Sequence, residues 1–221
     1  GSSGVSWRGE QGEGVAGEVT RDRKRRGESA SEAEFSPGML MASARLNLPA
    51  VFLYGGSILP GNHNGQVLDI VSVFEAVGAH SGGKIDEKEL TAIEEAACPS
   101  AGSCGGQFTA NTMACVSEAI GLALPGSSAP PASYESRDDF AFKSGEAVMN
   151  LLKNKIRPRD IVTRKALENA AAVVAATGGS TNAALHLPAI AHECGIDFDM
   201  HEVGKIFHRT PYLADLKPGG K

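Results

Sequence analysis

Residues 97–125 read ACPSAGSCGGQFTANTMACVSEAIGLALP and place one cysteine, Cys104, in a run of glycine and serine that leads into a helix-forming segment. The glycines beside Cys104 allow the backbone to approach a bulky group closely. Thr109 and Asn111 are residue types that favour a helix start, and the positive end of a helix dipole stabilises a thiolate just ahead of it. The pattern indicates a soft-metal or iron–sulfur ligand or a reactive thiol, with a buried cysteine in a tight turn as the alternative.

Outward from this stretch, the apolar spacing predicts many helices and few strands. Residues 49–54, PAVFLY, are an apolar run ended by two glycines, which predicts a buried strand with a ligand near its C-terminal end. Asp86 followed by Glu89 predicts a capped helix start, and Gly195 predicts a left-handed helix end. Helices are predicted at residues 39–46, 69–79, 86–97, 109–124, 140–154, 159–177, 181–194 and from 198 to 207, with a loop at 126–137.

These elements predict the α/β fold class. The expected architecture is a helix-rich, layered α/β/α domain with a short, mostly parallel sheet. Because few strands are predicted, we expect the sheet to be completed by sequence outside these 221 residues.

The amino-acid composition limits the kinds of partner and the cellular compartments that we expect for this chain. Hydrophobic residues make up 42% of the chain and aromatic residues 5%, which predicts an aliphatic, alanine-rich core. A net charge of −5 argues against a nucleic-acid or anionic membrane partner, and no apolar run is long enough to span a membrane. Four irregularly spaced cysteines favour a reducing compartment over a disulfide framework. We expect the bacterial cytoplasm, or a plastid or mitochondrion for a eukaryotic source.

Residues 1–36 differ in composition from the rest of the chain. Apolar residues are scarce there, and the first 35 residues carry six Lys or Arg and seven Asp or Glu. Such a segment buries too little apolar surface to offset its ordering entropy, so it is predicted to be a disordered extension or tag. The basic cluster RDRKRR at 21–26 is interpreted as part of a solvated tail rather than a nucleic-acid contact or address.

Five sequence blocks, taken in order, resemble the dihydroxy-acid dehydratase family, which also contains the sugar-acid dehydratases. The Gly-Ser-Cys-Gly-Gly turn at 102–106 carries an iron–sulfur cysteine in that family. The other blocks are PGMLMASARLNLP at 37–49, GGSILPG at 55–61, GGSTNAALHLP at 178–188 and RTPYLADLKPGG at 209–220. Residues 37–221 are therefore identified as a partial N-terminal α/β domain of a family member.

The resemblance implies a function and a set of cofactors. It implies that Cys104 is a ligand of an iron–sulfur cluster, with 2Fe–2S favoured over 4Fe–4S, and that the intact protein uses Mg²⁺. The implied reaction converts a 2,3-dihydroxy acid to a 2-oxo acid in valine and isoleucine biosynthesis, carried out by a homodimer. The alternatives are a sugar-acid dehydratase of the same family and an inactive anion-binding or packing module.

One block of the resembled family has no counterpart here. At the place of its Cys-Asp-Lys sequence, which supplies cluster and magnesium ligands, this chain has Glu32, Ala33 and Glu34. The catalytic set is therefore expected to be incomplete. We expect the 221-residue chain to be inactive by itself.

Residues 178–182, GGSTN, form the second candidate site. A glycine turn that opens a helix presents free N–H groups to an anion. Ser180, Thr181 and Asn182 are therefore predicted to contact the substrate carboxylate or to position neighbouring groups. The alternative interpretation is ordinary helix N-capping by Ser180 or Thr181.

The three other cysteines are predicted to be structural. Cys98 lies six residues before Cys104, a wider spacing than is usual for a close metal-binding pair, and is assigned to the core. Cys115 and Cys194 are assigned to helix packing. A reversible disulfide between Cys98 and Cys104 is the redox alternative.

Overall fold

The computed structural model describes residues 32–220, which form nine helices and one short β-hairpin. The predicted disorder of residues 1–31 lies outside the described residues, whereas for residues 32–36 it is wrong, because they belong to a helix. In chain order the elements are α1 (Glu32–Leu46), β1 (Gly61–His63), β2 (Gln66–Leu68), α2 (Ile70–Ser81), α3 (Glu87–Ala97), α4 (Thr109–Ile120), α5 (Ser136–Asn154), α6 (Pro158–Ile161), α7 (Arg164–Ala176), α8 (Ala183–Glu193) and α9 (Met200–Arg209).

Local signals set several helix ends, as predicted. The carboxylate of Asp86 accepts a hydrogen bond from the N–H of Glu89 at 2.9 Å, which confirms the capped start of α3. The carboxylate of Asp69 caps α2 in the same way. Gly195 follows α8 with φ +71°, which confirms the left-handed helix end.

Helix α4 lies at the centre of the main core. Its residues Met113 and Val116 are fully buried, and the helix packs against α1 and α7. On α7, Ala170 and Ala171 are fully buried, and their small side chains allow close approach of a neighbouring helix. The core is therefore aliphatic and alanine-rich, as the composition predicts. None of the helices within residues 32–220 is long and apolar enough to cross a bilayer.

The helix-rich α/β class is confirmed, but the strands differ from the expected mostly parallel sheet. Within the described residues, β1 and β2 pair antiparallel, with Gly61 opposite Leu68. Asn64 and Gly65 both have positive φ, +51° and +79°, which forms the tight turn that joins these strands. Parallel pairing within residues 32–220 is limited to one isolated bridge, between Ser57 and Pro131.

The predicted strand at residues 49–54 is wrong. This segment has no regular secondary structure, although Ala50 and Tyr54 are buried. The N–H of Phe52 donates to the carbonyl of Leu122 at 2.7 Å, just beyond α4. A strand needs a neighbouring strand to form a ladder of hydrogen bonds, and the described residues place none beside this segment.

Several helices have different bounds from those predicted. Helix α4 ends at Ile120 rather than at 124, and α5 begins at Ser136, inside the predicted loop at 126–137, rather than at 140. Helix α1 begins at Glu32, ahead of the predicted domain start at 37, and contains Pro37.

The single helix predicted over residues 159–177 is divided into α6 and α7. The chain leaves α6 at Val162, and the side chain of Thr163 accepts from the N–H of Ala166 at 3.2 Å to start α7.

Candidate functional site

The cysteine loop, residues 98–108, connects α3 to α4 and lies against the backbone of a preceding segment. The carbonyl of Cys104 accepts a hydrogen bond from the N–H of Ile58 at 2.8 Å. Gly102 has φ +147°, and a Cβ atom there would lie 2.5 Å from the nitrogen of Ile58. Glycine is therefore required at 102 for the two backbone segments to touch.

A second close backbone contact lies on the other side of that segment. Gly56 has φ +106°, and a Cβ atom there would lie 2.5 Å from the nitrogen of Ala132. The N–H of Ala132 donates to the carbonyl of Ser57 at 2.9 Å. The segment at 56–58 is therefore held between the cysteine loop and the loop that precedes α5.

The side chain of Cys104 lies ahead of α4, as predicted. Phe108 is the N-cap residue of α4, four positions after the cysteine. The Cys104 side chain is half-buried and packs against a small cluster formed by Tyr54, Ala110 and Ala114. Because Ala110 lies in the first turn of α4, the Cys104 side chain packs near the positive end of the helix dipole, which stabilises negative charge.

The two predicted helix-start residues do not cap α4, which starts without a side-chain cap. The Asn111 carboxamide turns back instead, and its Nδ2 donates to the carbonyls of Cys104 at 3.1 Å and Gly106 at 2.5 Å. Its Oδ1 accepts from the Tyr54 hydroxyl at 2.6 Å. Asn111 therefore binds the cysteine loop, and Thr109 contacts a different segment.

That segment is the turn at residues 178–182, which meets the first residues of α4. The hydroxyl oxygens of Ser180 and Thr109 lie 3.0 Å apart, and Asn182 Nδ2 donates to Thr109 Oγ1 at 3.0 Å. The N–H of Ser180 donates to Thr112 Oγ1, also at 3.0 Å. The structure therefore brings together the two segments that the sequence identifies as candidate sites.

Four of the five backbone N–H groups of the turn are used within the protein and are not available to an anion. The N–H groups of residues 178–180 and of Asn182 all donate to protein acceptors. Helix α8 begins at Ala183 with Asn182 as its N-cap residue. Ser180 Oγ accepts from the N–H of Asn182 at 3.3 Å, which is the type of bond that the N-capping interpretation predicts for Ser180. A contact between the substrate and the side chains of Ser180, Thr181 and Asn182 stays a prediction.

The segment after α9 covers both parts of the site, a feature that sequence reasoning missed. The carbonyl of Lys217 accepts from the N–H of Gln107 in the cysteine loop at 2.7 Å. The ring of Tyr212 lies against Gly178, where a Cβ atom would come within 2.6 Å of a ring carbon. The sequence of residues 209–220 gives no sign of these contacts, because they depend on the tertiary fold.

The other cysteines differ from one another in their surroundings. Cys98 is exposed, because it lies at the end of α3 where the chain leaves the helix, so its assignment to the core is wrong. Cys115 Sγ accepts from Gln107 Nε2 at 3.6 Å, and Cys194 packs against the main core, which agrees with packing roles. None of the four cysteines, all of which lie within residues 32–220, forms a disulfide bond.

We expect Cys98 to react slowly with iodoacetamide at neutral pH despite its exposure. Partial burial, with a smaller effect from the negative charge of Asp69, raises the pKa of the Cys98 thiol. A raised pKa lowers the thiolate fraction at any given pH, so the alkylation rate rises at a higher pH than it does for an ordinary thiol. The measurement is the pH profile of Cys98 alkylation by mass spectrometry.

The variant Asp69→Asn tests how much the charge of Asp69 contributes to the raised pKa of Cys98. Asparagine removes the charge but can still cap α2. In this variant we expect the pH profile of Cys98 alkylation to move toward lower pH. A wild-type midpoint at or below that of a short unfolded peptide with the same cysteine would contradict this assignment.

The described residues fit one ligand of an iron–sulfur cluster but not a complete ligand set. Cys104 has the features of such a ligand: a half-buried thiol, adjacent glycines and a following helix. Within residues 32–220, however, no group of three or more His, Cys, Asp or Glu side chains is arranged to hold a metal ion. A cluster or a magnesium ion at this site needs ligands from outside the described residues.

The chain belongs to the dihydroxy-acid/6-phosphogluconate dehydratase family, whose N-terminal family model matches residues 34–221. The match covers the cysteine loop, α4 and the turn at 178–182, which form the candidate site. The resemblance carried by the five sequence blocks is therefore confirmed.

Curated relatives of this chain have a name that is more specific than that of the family. The chain is 71% identical over 184 residues to the dihydroxy-acid dehydratase of Parvibaculum lavamentivorans, an alignment that covers 83% of this chain and 32% of that protein. It is 70% identical over 185 residues to the dihydroxy-acid dehydratase of Pelagibacter ubique, covering 84% and 32%. The corresponding protein of Haloarcula marismortui is 54% identical over 185 residues, with the same coverage. The chain thus spans 32% of the length of these relatives.

Proposed function

We propose that this chain supplies part of a dihydroxy-acid dehydratase, a hydro-lyase that converts 2,3-dihydroxy acids to 2-oxo acids in valine and isoleucine biosynthesis. One observation carries the proposal: a half-buried cysteine lies in a glycine loop ahead of the central helix, in a chain 71% identical to a relative of that name. We propose that the whole protein is a homodimer of the bacterial cytoplasm, or of a plastid or mitochondrion in a eukaryote.

In this proposal Cys104 holds one iron of an iron–sulfur cluster, of the 2Fe–2S type. Such a cluster, together with Mg²⁺, supplies Lewis acidity at the hydroxyl that leaves and at the substrate carboxylate. The overall change removes the C3 hydroxyl and the C2 proton as water, and the resulting enol becomes the 2-oxo acid. We assign to Thr109, Ser180 and Asn182, which hydrogen-bond to one another, the orientation of the substrate's polar groups.

Two alternatives remain distinct from this proposal. A sugar-acid dehydratase of the same family shares the reaction class and differs in the pocket that receives the rest of the substrate. An inactive anion-binding or packing module has less support, because the turn at 178–182 uses four of its five backbone N–H groups within the protein.

The test is a chimera in which residues 37–221 replace the matching segment of the Parvibaculum lavamentivorans relative. After anaerobic loading with iron, sulfide and Mg²⁺, we expect it to form 2-oxoisovalerate from 2,3-dihydroxyisovalerate at a rate comparable to that of the unmodified relative. The 221-residue chain alone is the matched control, and we expect no turnover from it.

Two outcomes would contradict the proposal. A folded chimera that holds iron but makes no 2-oxo acid would show that these residues do not support the reaction. A chimera that turns over sugar acids faster than the unmodified relative would favour the sugar-acid alternative.

A further inference from the structure

Asn111 and Tyr54 form a hydrogen-bonded pair beside the cysteine loop. Asn111 lies in the first turn of α4, and its Nδ2 donates to the carbonyls of Cys104 and Gly106. Both hydrogens of one carboxamide are thus used on the same loop. The two residues that follow Cys104 are glycines, which restrict the backbone least, so this loop needs a restraint from outside itself.

Tyr54 determines which way the Asn111 carboxamide faces. Its hydroxyl donates to Asn111 Oδ1 at 2.6 Å, which directs Nδ2 toward the loop. Tyr54 is only 3% exposed, so water competes little for this hydrogen bond. The aromatic ring of Tyr54 also belongs to the small cluster against which the Cys104 side chain packs.

Hydrogen bonds fix the main chain at Cys104 within a glycine-rich loop. The Cys104 carbonyl accepts from two donors, the Asn111 carboxamide at 3.1 Å and the N–H of Ile58 at 2.8 Å. Holding the peptide plane on one side of the Cα atom limits the directions in which the Cβ–Sγ bond can point. The Tyr54 ring limits the same side chain by contact.

We propose that Tyr54 and Asn111 are positioning residues for Cys104, which hold the loop carbonyls so that the thiol keeps one orientation beside α4. The value of this orientation for iron binding rests on the proposed function, whereas the positioning itself does not. A role confined to stabilising the start of α4 is the competing explanation.

The test measures iodoacetamide alkylation of each cysteine in the 221-residue chain, resolved by mass spectrometry at a pH where thiols are ionised. Asn111→Asp keeps the acceptor for Tyr54 but removes both donors to the loop, and Tyr54→Phe removes one oxygen atom. We expect Cys104 to react about tenfold faster in Asn111→Asp and about threefold faster in Tyr54→Phe, because each loss makes local loop opening easier.

Cys194, which packs against the main core, serves as the internal reference in the same molecules, and its rate is expected to stay unchanged. The exposed residues Tyr134 and Asn150 supply matched controls, Tyr134→Phe and Asn150→Asp, in which all rates stay at the wild-type value. An equal acceleration of every cysteine would assign the effect to general loss of stability and overturn the proposal. An unchanged Cys104 rate in Tyr54→Phe, the milder variant, would also overturn it.

The same experiment separates this inference from the proposed function. If the iron-loaded chimera makes no product while Cys104 alone is accelerated by the two substitutions, the dehydratase assignment fails and the positioning role stands. If the chimera is active and Cys104 is not accelerated, the positioning role fails by itself. An iron-loaded Asn111→Asp chimera is further expected to show a changed visible absorbance spectrum.

Discussion

Replacing Gly102 with alanine is expected to destabilise the folded chain by about 3 kcal/mol, from a strained backbone and from overpacking. The φ of +147° at this residue is one that residues with a side chain rarely adopt. The new Cβ would also lie 2.5 Å from the carbonyl carbon and oxygen of Ser57. Because these neighbours are backbone atoms, no rotation of a side chain relieves the contact.

The measurement is thermal unfolding followed by circular dichroism, together with urea unfolding. For a domain of this size, we expect the midpoint temperature to fall by roughly 6–12 °C. Gly105→Ala is the matched control in the same loop, because Gly105 has no positive φ and an added Cβ there meets nothing within 4 Å. Its stability is expected to stay within about 0.5 kcal/mol of wild type.

Equal stability of the two variants would show that the contact at 102 is not tight in solution. If only Gly102→Ala loses stability, we also expect an effect on the position of Cys104. The carbonyl of Cys104 and the N–H of Ile58 are hydrogen-bonded two residues away, so displacing the loop also displaces the thiol.

Local signals explain why most helices could be predicted. The caps at Asp69 and Asp86 and the left-handed Gly195 act within a few residues of the helix ends that they define. Such information is present in any short stretch of sequence. Where a competing local signal was overlooked, the prediction failed: Thr163 caps a new helix and divides the one predicted over residues 159–177.

The strands were harder to predict, because a strand depends on a distant partner. Residues 49–54 have the apolar pattern of a buried strand, yet the described residues give them no ladder. The hairpin of β1 and β2 was missed although Asn64 and Gly65 are the residue pair that most favours its tight turn. Its strands have three residues each, too few for an alternating pattern to stand out.

The candidate site could be predicted in its parts but not in its arrangement. Cys104 and the turn at 178–182 were identified as candidates from their glycine-rich surroundings, and the ligand role of Cys104 from the resemblance to the dehydratase family. The bond between Thr109 and Ser180 joins residues 71 positions apart, and that between Tyr54 and Asn111 joins residues 57 apart. Neither pairing leaves a sign in the sequence, because Thr, Ser, Tyr and Asn have many ordinary uses.

Replacing Cys104 with alanine is expected to reduce the iron and acid-labile sulfide of the chimera to background. Iron–sulfur clusters are held by cysteine thiolates, and the loss of one ligand leaves an iron without its negative charge and soft donor. The measurement is anaerobic reconstitution followed by iron and sulfide analysis and visible absorbance. In the 221-residue chain itself we expect little iron, since residues 32–220 do not assemble a complete ligand set.

Cys98→Ala is the matched control, because this thiol is exposed at the end of α3 and belongs to the same loop. We expect it to keep the wild-type iron content and spectrum. Full iron retention in Cys104→Ala would remove this residue from the ligand set. Residues 1–31 contain no Cys or His. Stoichiometric iron in the 221-residue chain that disappears with Cys104→Ala would therefore point to ligands from a second copy of the chain.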